Sequence, residues 1–504
     1  MQTFMVSPAV QESQIGAAIS RKSVYQIGQT AVGMGSFTVL AFISGILIAR
    51  GLGPAGQGRF QLLMSVAFVS VLIGKMGLDE ALAYLIPQYN ATNARKLMAL
   101  ITYSLGLTLT ISIALGLLFY LTSYYLGRYI FTLPGFDRDL TILLYLLPAL
   151  MLMYMTISVL RGLGRADLRA YVYYYGVGLL FLIVVTIFFV SGLNSTQAYL
   201  ARIGSYAVGG LLALVLIWRL VPAGTWQLGF REIRSLHAFA GVLVFVGLFQ
   251  YAVDQPLIDL VIVGRVASPE AVGVYSVAAR ISGLVAITAN AFCIVLAPSL
   301  AHARAQNNSN EMASQYLRAS EWMARVTLFS GLSLLLLRNE ILSLFGQDYR
   351  SGSSLLAILL VGQIGAGLLG LNTPLLLASG YAWAELLITC LCAIVMILGG
   401  IVLGQHYGSV GVAVATTAVT IILALARRTV CRWFCGIGGG RDVLKVILMG
   451  IGSLIPALLV QKLVTESSPL NALLALGVFS CAFWGYNIRV VTTSLSQRVL
   501  NQTK

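Results

Sequence analysis

Residues Leu47 to Phe60 read LIARGLGPAGQGRF, and 215 positions later Ile262 to Tyr275 read IVGRVASPEAVGVY, with Arg50 over Arg265, Pro54 over Pro269, Gly58 over Gly273 and Phe60 over Tyr275. A second landmark agrees, because Leu160, Gly164 and Ala166 return as Leu376, Gly380 and Ala382 at an offset of 216. Two separate landmarks at nearly one spacing mean a duplicated unit. In a chain this apolar, such a duplication points to a two-lobed membrane transporter, whose binding site generally lies between the repeats.

Hydrophobic residues make up 58% of the chain, charged residues only 10%, and the mean hydropathy is +0.89. An ordinary soluble domain carries about 25% charged residues, so this composition describes a polytopic membrane protein. The first apolar stretch, 30–49, follows a polar tail and is too long for the core of a cleavable signal, so it is expected to stay in the membrane. The six cysteines form no C-x-x-C pair and have no nearby histidine. They read as reduced packing residues, and no metal site is expected.

Fourteen stretches meet or approach the roughly 20 apolar residues that a helix needs to cross a bilayer. Six lie at 30–49, 60–86, 97–121, 140–160, 170–191 and 198–218, and six more at 238–264, 272–298, 322–344, 354–377, 384–404 and 408–426. Two follow at 444–463 and 470–488. With the N-terminus inside, twenty-one of the 32 Lys and Arg residues fall in cytoplasmic loops and tails, eight in outer loops and three within spans. That bias predicts cytoplasmic N- and C-termini. It also accounts for most of the net charge of +15, so nucleic acid is not needed as a partner.

An even number of spans per repeat makes the duplication parallel rather than inverted. The expected organisation is a cytoplasmic tail at 1–23, an N-lobe of spans 1–6 at 24–218 and a cytoplasmic linker at 219–237. A C-lobe of spans 7–12 follows at 238–427, and an appendage of spans 13 and 14 with the C-terminal tail at 428–504. No loop exceeds about 25 residues and no G-x-x-x-x-G-K-[ST] occurs, which leaves no soluble catalytic or nucleotide-binding domain and excludes ATP as a direct energy source within the chain.

ARGLGPAGQG at 49–58, GLD at 77–79, and ASPEAVGVYSVAARI at 267–281 with Pro298 after it resemble the polysaccharide biosynthesis transporter family. These are lipid-linked oligosaccharide flippases of the multidrug/oligosaccharidyl-lipid/polysaccharide (MATE-like) exporter superfamily. The likeness covers both lobes. One departure is the outer turn of the second repeat, where Val266, Ala267 and Ser268 replace Gly51, Leu52 and Gly53. The resemblance implies an all-α integral membrane protein of about 14 transmembrane helices, with two pseudo-symmetric six-helix lobes around a central cavity and two extra C-terminal helices. It further implies alternating access for an undecaprenyl-type lipid carrying a sugar chain on a phosphate or pyrophosphate.

An ionisable side chain at bilayer depth costs roughly 2.5–3.5 kcal/mol on insertion scales, so each one asks for a partner, a cavity or a use. Arg280 lies about eight residues, roughly 12 Å, below the outer end of span 8. A guanidinium there can grip two phosphate oxygens of a passing headgroup. Alternatively, Arg280 pairs with Asp254 or Asp259 on span 7. Lys75 and Arg202 are further candidate cavity cations, although Lys75 can neutralise itself against Asp79 one turn on, and Arg202 lies where it can snorkel to the outer interface.

Asp254 and Asp259 flank Pro256, which kinks span 7 where the two carboxylates sit. They and Asp79 are the ion-coupling candidates, or else members of structural ion pairs. Pro256 and Pro374 are hinge candidates. The run Tyr171, Tyr173, Tyr174 and Tyr175 reads first as an interfacial aromatic belt and second as a surface for stacking sugars.

The function expected is therefore a flippase for a lipid-linked oligosaccharide in the bacterial inner membrane, acting in surface polysaccharide biosynthesis and not an enzyme. An ion-coupled drug or metabolite exporter, an antiporter on the same fold, is the alternative, and a polysaccharide polymerase or ligase a lesser one. No cofactor is expected beyond a coupling H⁺ or Na⁺. The expected partners are the lipid-linked glycan, membrane lipids and polysaccharide polymerase or export machinery.

Overall fold

The computed structural model describes residues 21–436 apart from 93, 132, 222–228 and 255–257, together with 447–459 apart from 449 and 457, and 472–487 apart from 486. Among the described residues all regular structure is helical. Eight helices among the described residues are long and apolar enough to cross a membrane, or nine if Ser309–Leu336 and Arg338–Phe345, bent by 69°, count as one. Two of them, Arg21–Gly74 and Ala382–Cys435, are 54 residues long, about 80 Å if straight and far beyond a 30 Å hydrocarbon core. Each turns instead, at Gly53 (φ 66°) and at Gly408 (φ 60°).

The duplication is visible in the backbone. Arg165 N–H donates to the Leu160 carbonyl (3.0 Å) and Gly164 N–H to that of Arg161 (3.1 Å). The same pair recurs 216 residues on, Tyr381 to Leu376 (2.9 Å) and Gly380 to Leu377 (3.1 Å). Gly164 (φ 70°) and Gly380 (φ 87°) both take the left-handed conformation that closes a helix in this way. At the other landmark the two copies use different chemistry. Gly53 turns left-handed before Pro54, whereas Ser268 stays extended before Pro269 and caps the next helix by accepting from Ala271 N–H (3.3 Å). Pro sits at a helix start in both, where its missing N–H is not needed.

The chain divides into two compact units, Met1–Leu248 and Phe249–Lys504. In the first, the helix Leu143–Gly162 is the centre, with Leu146, Leu150, Met151 and Met153 fully buried. The start of the first helix and the segment Ala166–Val190 run side by side. A Cβ on Gly33 would lie 2.8 Å from the Tyr174 ring, and one on Gly51 2.8 Å from Leu193. The 18 residues between those contacts cover about 27 Å of helix, the thickness of a hydrocarbon core.

The first unit also holds the start of the helix Phe230–Asp254. Lys96 Nζ pairs with Glu232 Oε1 at 2.6 Å, and Tyr103 Oη lies 2.9 Å from His237 Nε2. Gly77 (φ 71°) has no room for a side chain, because a Cβ there would meet the Ala240 carbonyl oxygen at 2.3 Å. In the second unit, the helix Ala472–Gly485 buries Phe479 and Phe483 against Ser309–Leu336, with Phe329 stacked on Phe479 at 5.6 Å.

Two spans expected to be continuous are broken. The second stops at Gly74, turns through Lys75, Met76 (φ 48°) and Gly77, and restarts as Leu78–Thr92. The tenth stops as Ser353–Leu368, passes Gly370 (φ 102°) and restarts as Asn372–Ala378. Left-handed residues end α-helices, and apolar periodicity does not register them. Pro374 consequently sits in the first turn of a new helix, where it removes no hydrogen bond, rather than inside a continuous span. Pro256 and the side chain of Asp254 lie outside the described residues.

Lys96, followed by the Gly229 N–H, holds the Glu232 carboxyl below its ordinary value. A depressed carboxyl contributes stability above its unfolded pKa, near 4.3, and loses it as pH falls through the lower folded value. Amide exchange over Phe230–Leu236, corrected for intrinsic rates, is therefore expected to stay protected from pH 7 to about 5 and to quicken below about 4. Glu232→Gln should be unprotected across the range; a pH-independent wild type would refute the tie.

Candidate functional site

Each unit contains a buried carboxylate near the repeated Pro-bearing junction, partnered differently. In the first unit Asp139 follows the Gly135 turn on the short helix Phe136–Thr141. It accepts two hydrogen bonds from Arg59, at 2.6 and 3.0 Å. Burial pushes the Asp139 carboxyl up and Arg59 opposes that shift. Beside this pair Phe60 stacks on buried Tyr199 at 5.5 Å. A bidentate Arg–carboxylate pair of this kind is a closed, neutral unit and suits a strut.

In the second unit Asp259 is 3% exposed on the helix Ile258–Val266. Its Oδ2 accepts from the Tyr275 hydroxyl (2.8 Å) and its Oδ1 from Leu260 N–H (3.0 Å). The Tyr275 oxygen also lies 3.4 Å from Thr416 Oγ1. Three helices thus converge on one carboxylate, and none of its partners among the described residues is cationic. A buried anion held only by neutral donors is costly, and taking up H⁺ or a monovalent cation removes the cost. Within the repeat, Asp259 stands over Ser44 and Tyr275 over Phe60. The two mismatched positions touch each other, so the difference between the copies is a coupled pair. Tyr275 and Thr416 were not singled out from the sequence; the Phe60-to-Tyr275 change was the signal available.

Arg280 is half-buried on Pro269–Ala305 and acts electrostatically on Tyr349. Asp259 takes its bonds from Tyr275 and Leu260, so the expected alternative of an Arg280–Asp259 pair is not what the structure holds. Lys75 and Asp79 do pair, at 2.5 Å, but across the break rather than along a continuous helix. The Asp79 carbonyl accepts from Ser158 (2.8 Å), and Glu80 reaches Arg161 (2.8 Å). Arg202 lies 3.7 Å over the ring of Phe181 and 5.3 Å from that of Tyr206, an arrangement stabilised by the ring quadrupoles.

The break before Asn372 forms a third polar cluster that spacing did not reveal. Asn372 Nδ2 donates to the carbonyls of Leu369 (3.2 Å) and Gly370 (3.3 Å), and its Oδ1 accepts from Tyr316 (2.7 Å). Arg428 adds a bond to the Leu369 carbonyl at 3.3 Å. Nearby, Arg427 pairs with Glu385 at 2.5 Å. All six cysteines are free, and no group of three or more metal-binding side chains occurs among the described residues.

Residues 27–303, more than half of the chain, match the polysaccharide biosynthesis protein family. The chain belongs to that family. A second family, MatE, matches residues 245–402. No curated protein matches the chain. Among solved structures, the lipid II flippase MurJ in an inward closed conformation is similar at a TM-score of 0.69 and 16% identity, covering 91% of this chain and 99% of its own. An inward-facing multidrug resistance MATE transporter of the MOP superfamily gives 0.66 and 18%, with coverage of 79% and 94%. A MOP superfamily transporter from Pyrococcus furiosus gives 0.56 and 18%, with 82% and 95%.

At such identities the structural likeness is one of fold. With the family match and the apolar helices, the described residues make a multi-pass, all-helical membrane protein of the polysaccharide biosynthesis protein family that shares the fold of MOP superfamily transporters. The resemblance read from ARGLGPAGQG and ASPEAVGVYSVAARI is thereby borne out.

If Asp259 and Tyr275 are one unit, replacing both with their first-repeat counterparts should cost less than the separate changes suggest. Thermal midpoints of Asp259→Ser, Tyr275→Phe and the double variant are expected to show a coupling of about 1 kcal/mol. Additive effects would mean that the two side chains act independently.

Proposed function

We propose that the protein is a flippase that carries a lipid-linked oligosaccharide, a glycan on a polyprenyl phosphate or pyrophosphate, across the bacterial cytoplasmic membrane for surface polysaccharide biosynthesis. The observation that carries this reading is the match of residues 27–303 to the polysaccharide biosynthesis family. The fold likeness over nearly the whole of a lipid II flippase supports it. In this reading the lobes give access alternately to the two sides, both termini are cytoplasmic, and the lipid tail stays in the bilayer while the charged head crosses. Arg280, about 12 Å into its span, is the leading cation for the phosphate, with Lys75 and Arg202 as further cavity cations. Polysaccharide polymerase or export machinery would receive the product.

Asp259 is the favoured coupling carboxylate among the described residues, since Asp79 is already paired with Lys75. A second reading, an ion-coupled exporter of drugs or metabolites, draws on the MatE match over 245–402, which contains Asp259, Tyr275 and Arg280.

Arg280→Ala is expected to lower glycan export at least about tenfold, the loss that follows from one charged contact worth about 1.5–3 kcal/mol. Membrane abundance should be unchanged; full export would remove Arg280 from the substrate path. In reconstituted vesicles, Asp259→Asn should move the lipid-linked glycan at one rate with or without an H⁺ or Na⁺ gradient. Retained gradient dependence would transfer the coupling role to Asp254.

A further inference from the structure

The lead helices of the two repeats are fastened in different ways. The first is held by its own repeat at both ends, through glycines. A Cβ on Gly33 would lie 2.8 Å from the Tyr174 ring, one on Gly178 3.1 Å from Phe37, and one on Gly51 2.8 Å from Leu193. Phe37 also stacks on Tyr173 at 5.1 Å. Small residues of this kind let helices pack at close range in a bilayer.

The second lead helix repeats only one of these fastenings. Beside the proline junction, a Cβ on Gly400 would meet Ile262 at 3.0 Å and one on Gly404 would meet Val266 at 3.1 Å. At the other end the glycines are gone. The offset of 215 puts Leu248 over Gly33, and the offset of 216, kept by the left-handed glycines Gly192 (φ 94°) and Gly408 (φ 60°), puts Ile394 over Gly178.

That end belongs instead to the first unit, which runs to Leu248. Its backbone touches the turn at Gly77, where a Cβ would meet the Ala240 carbonyl oxygen at 2.3 Å. The side chains around this contact are polar or aromatic and open to water. Lys96 pairs with Glu232 at 2.6 Å with 35% and 27% of the two side chains exposed. Tyr103 Oη lies 2.9 Å from His237 Nε2, and the rings of Tyr84 and Phe239, both exposed, are 5.2 Å apart. Partly exposed pairs hold a helix weakly and can part and re-form at little cost, whereas glycine-docked packing cannot.

We propose that residues 230–240 are a releasable latch on the first unit, fastened by Lys96–Glu232 and Tyr103–His237. The latch lets go during the transport cycle while Ile258–Val266 stays docked on its own repeat, and the first lead helix does not part from its repeat at all. The assignment rests on the alternating-access reading above and adds which lead helix is released and which side chains hold it.

The test places spin labels at Tyr84→Cys and Phe239→Cys in the full chain in nanodiscs, with the six native cysteines changed to alanine, and leaves both latch pairs intact. A control pair, Val39→Cys with Leu179→Cys, reports the first lead helix against the fifth span, since both residues line one crevice and are largely exposed. Two distance populations are expected between 84 and 239, with the separated one growing about threefold in Glu232→Gln, as for loss of one partly exposed ion pair. The control should give one population throughout. A single distance between 84 and 239 in both backgrounds would overturn the latch, and a control pair that also parts would overturn the asymmetry.

On the chain with its native cysteines, Lys96→Gln should speed amide exchange over 230–240 about threefold and leave 258–264 unchanged. Lys96→Glu combined with Glu232→Lys should restore it; a combination as fast as Lys96→Gln alone would overturn the role of the ion pair. A vesicle flipping assay keeps the substrate question apart. Two populations without glycan movement uphold the latch and reject the flippase, whereas glycan movement at the full rate with residues 84 and 239 joined by a disulfide rejects the latch alone.

Discussion

Hydrocarbon offers no hydrogen bonds, and every polar group placed in it must be answered by the protein itself. The departures from plain helix in this molecule are arranged around that constraint. The turn at 75–77 closes its backbone locally, with Leu78 N–H returning to the Lys75 carbonyl at 2.8 Å. The break at 369–371 is closed by the amide of the adjoining Asn372, which Tyr316 holds in place, by Arg428 and by the Ser320 hydroxyl. Where a carboxylate is answered by a guanidinium, as in Arg59–Asp139, the result is a fixed strut. Where it is answered by hydroxyls and an amide, as at Asp259, no guanidinium among the described residues bonds to it.

The two copies of the duplicated unit share the elements that set chain direction and differ where charge is buried. The left-handed glycine turns at 164 and 380 are superimposable in their hydrogen bonding. The broken tenth span has no equivalent in the continuous helix Leu143–Gly162, and the Asp259–Tyr275 pair replaces Ser44 and Phe60. A duplicated frame can thus keep its architecture while one half takes on polar work that the other does not do.

Much of the frame was legible in the sequence, because apolar length follows from the physics of insertion and the 215-residue echo marks the duplicated turns. The breaks were not, since a single left-handed residue inside an apolar run leaves hydropathy unchanged; Met76 and Gly370 look like any other members of their spans. Single charges were also easier to find than their partners. Asp259, Arg280 and Arg202 stood out as ions in oil, but Tyr275, Thr416 and Phe181 come from other helices, and only the folded chain brings them alongside.

The Ala240 carbonyl pressed on Gly77 has a consequence for how the chain is made. A ribosome delivers the Lys75–Gly77 turn some 160 residues before its cover, so the first unit cannot finish folding when its sixth span is released. It has to wait for the opening turns of the next repeat's lead helix, which makes the order of synthesis part of the assembly of the two halves. For the same reason, a chain divided at 222–228 leaves its amino-terminal fragment with a bare turn, whereas division after Leu248 gives each fragment the whole of its own unit.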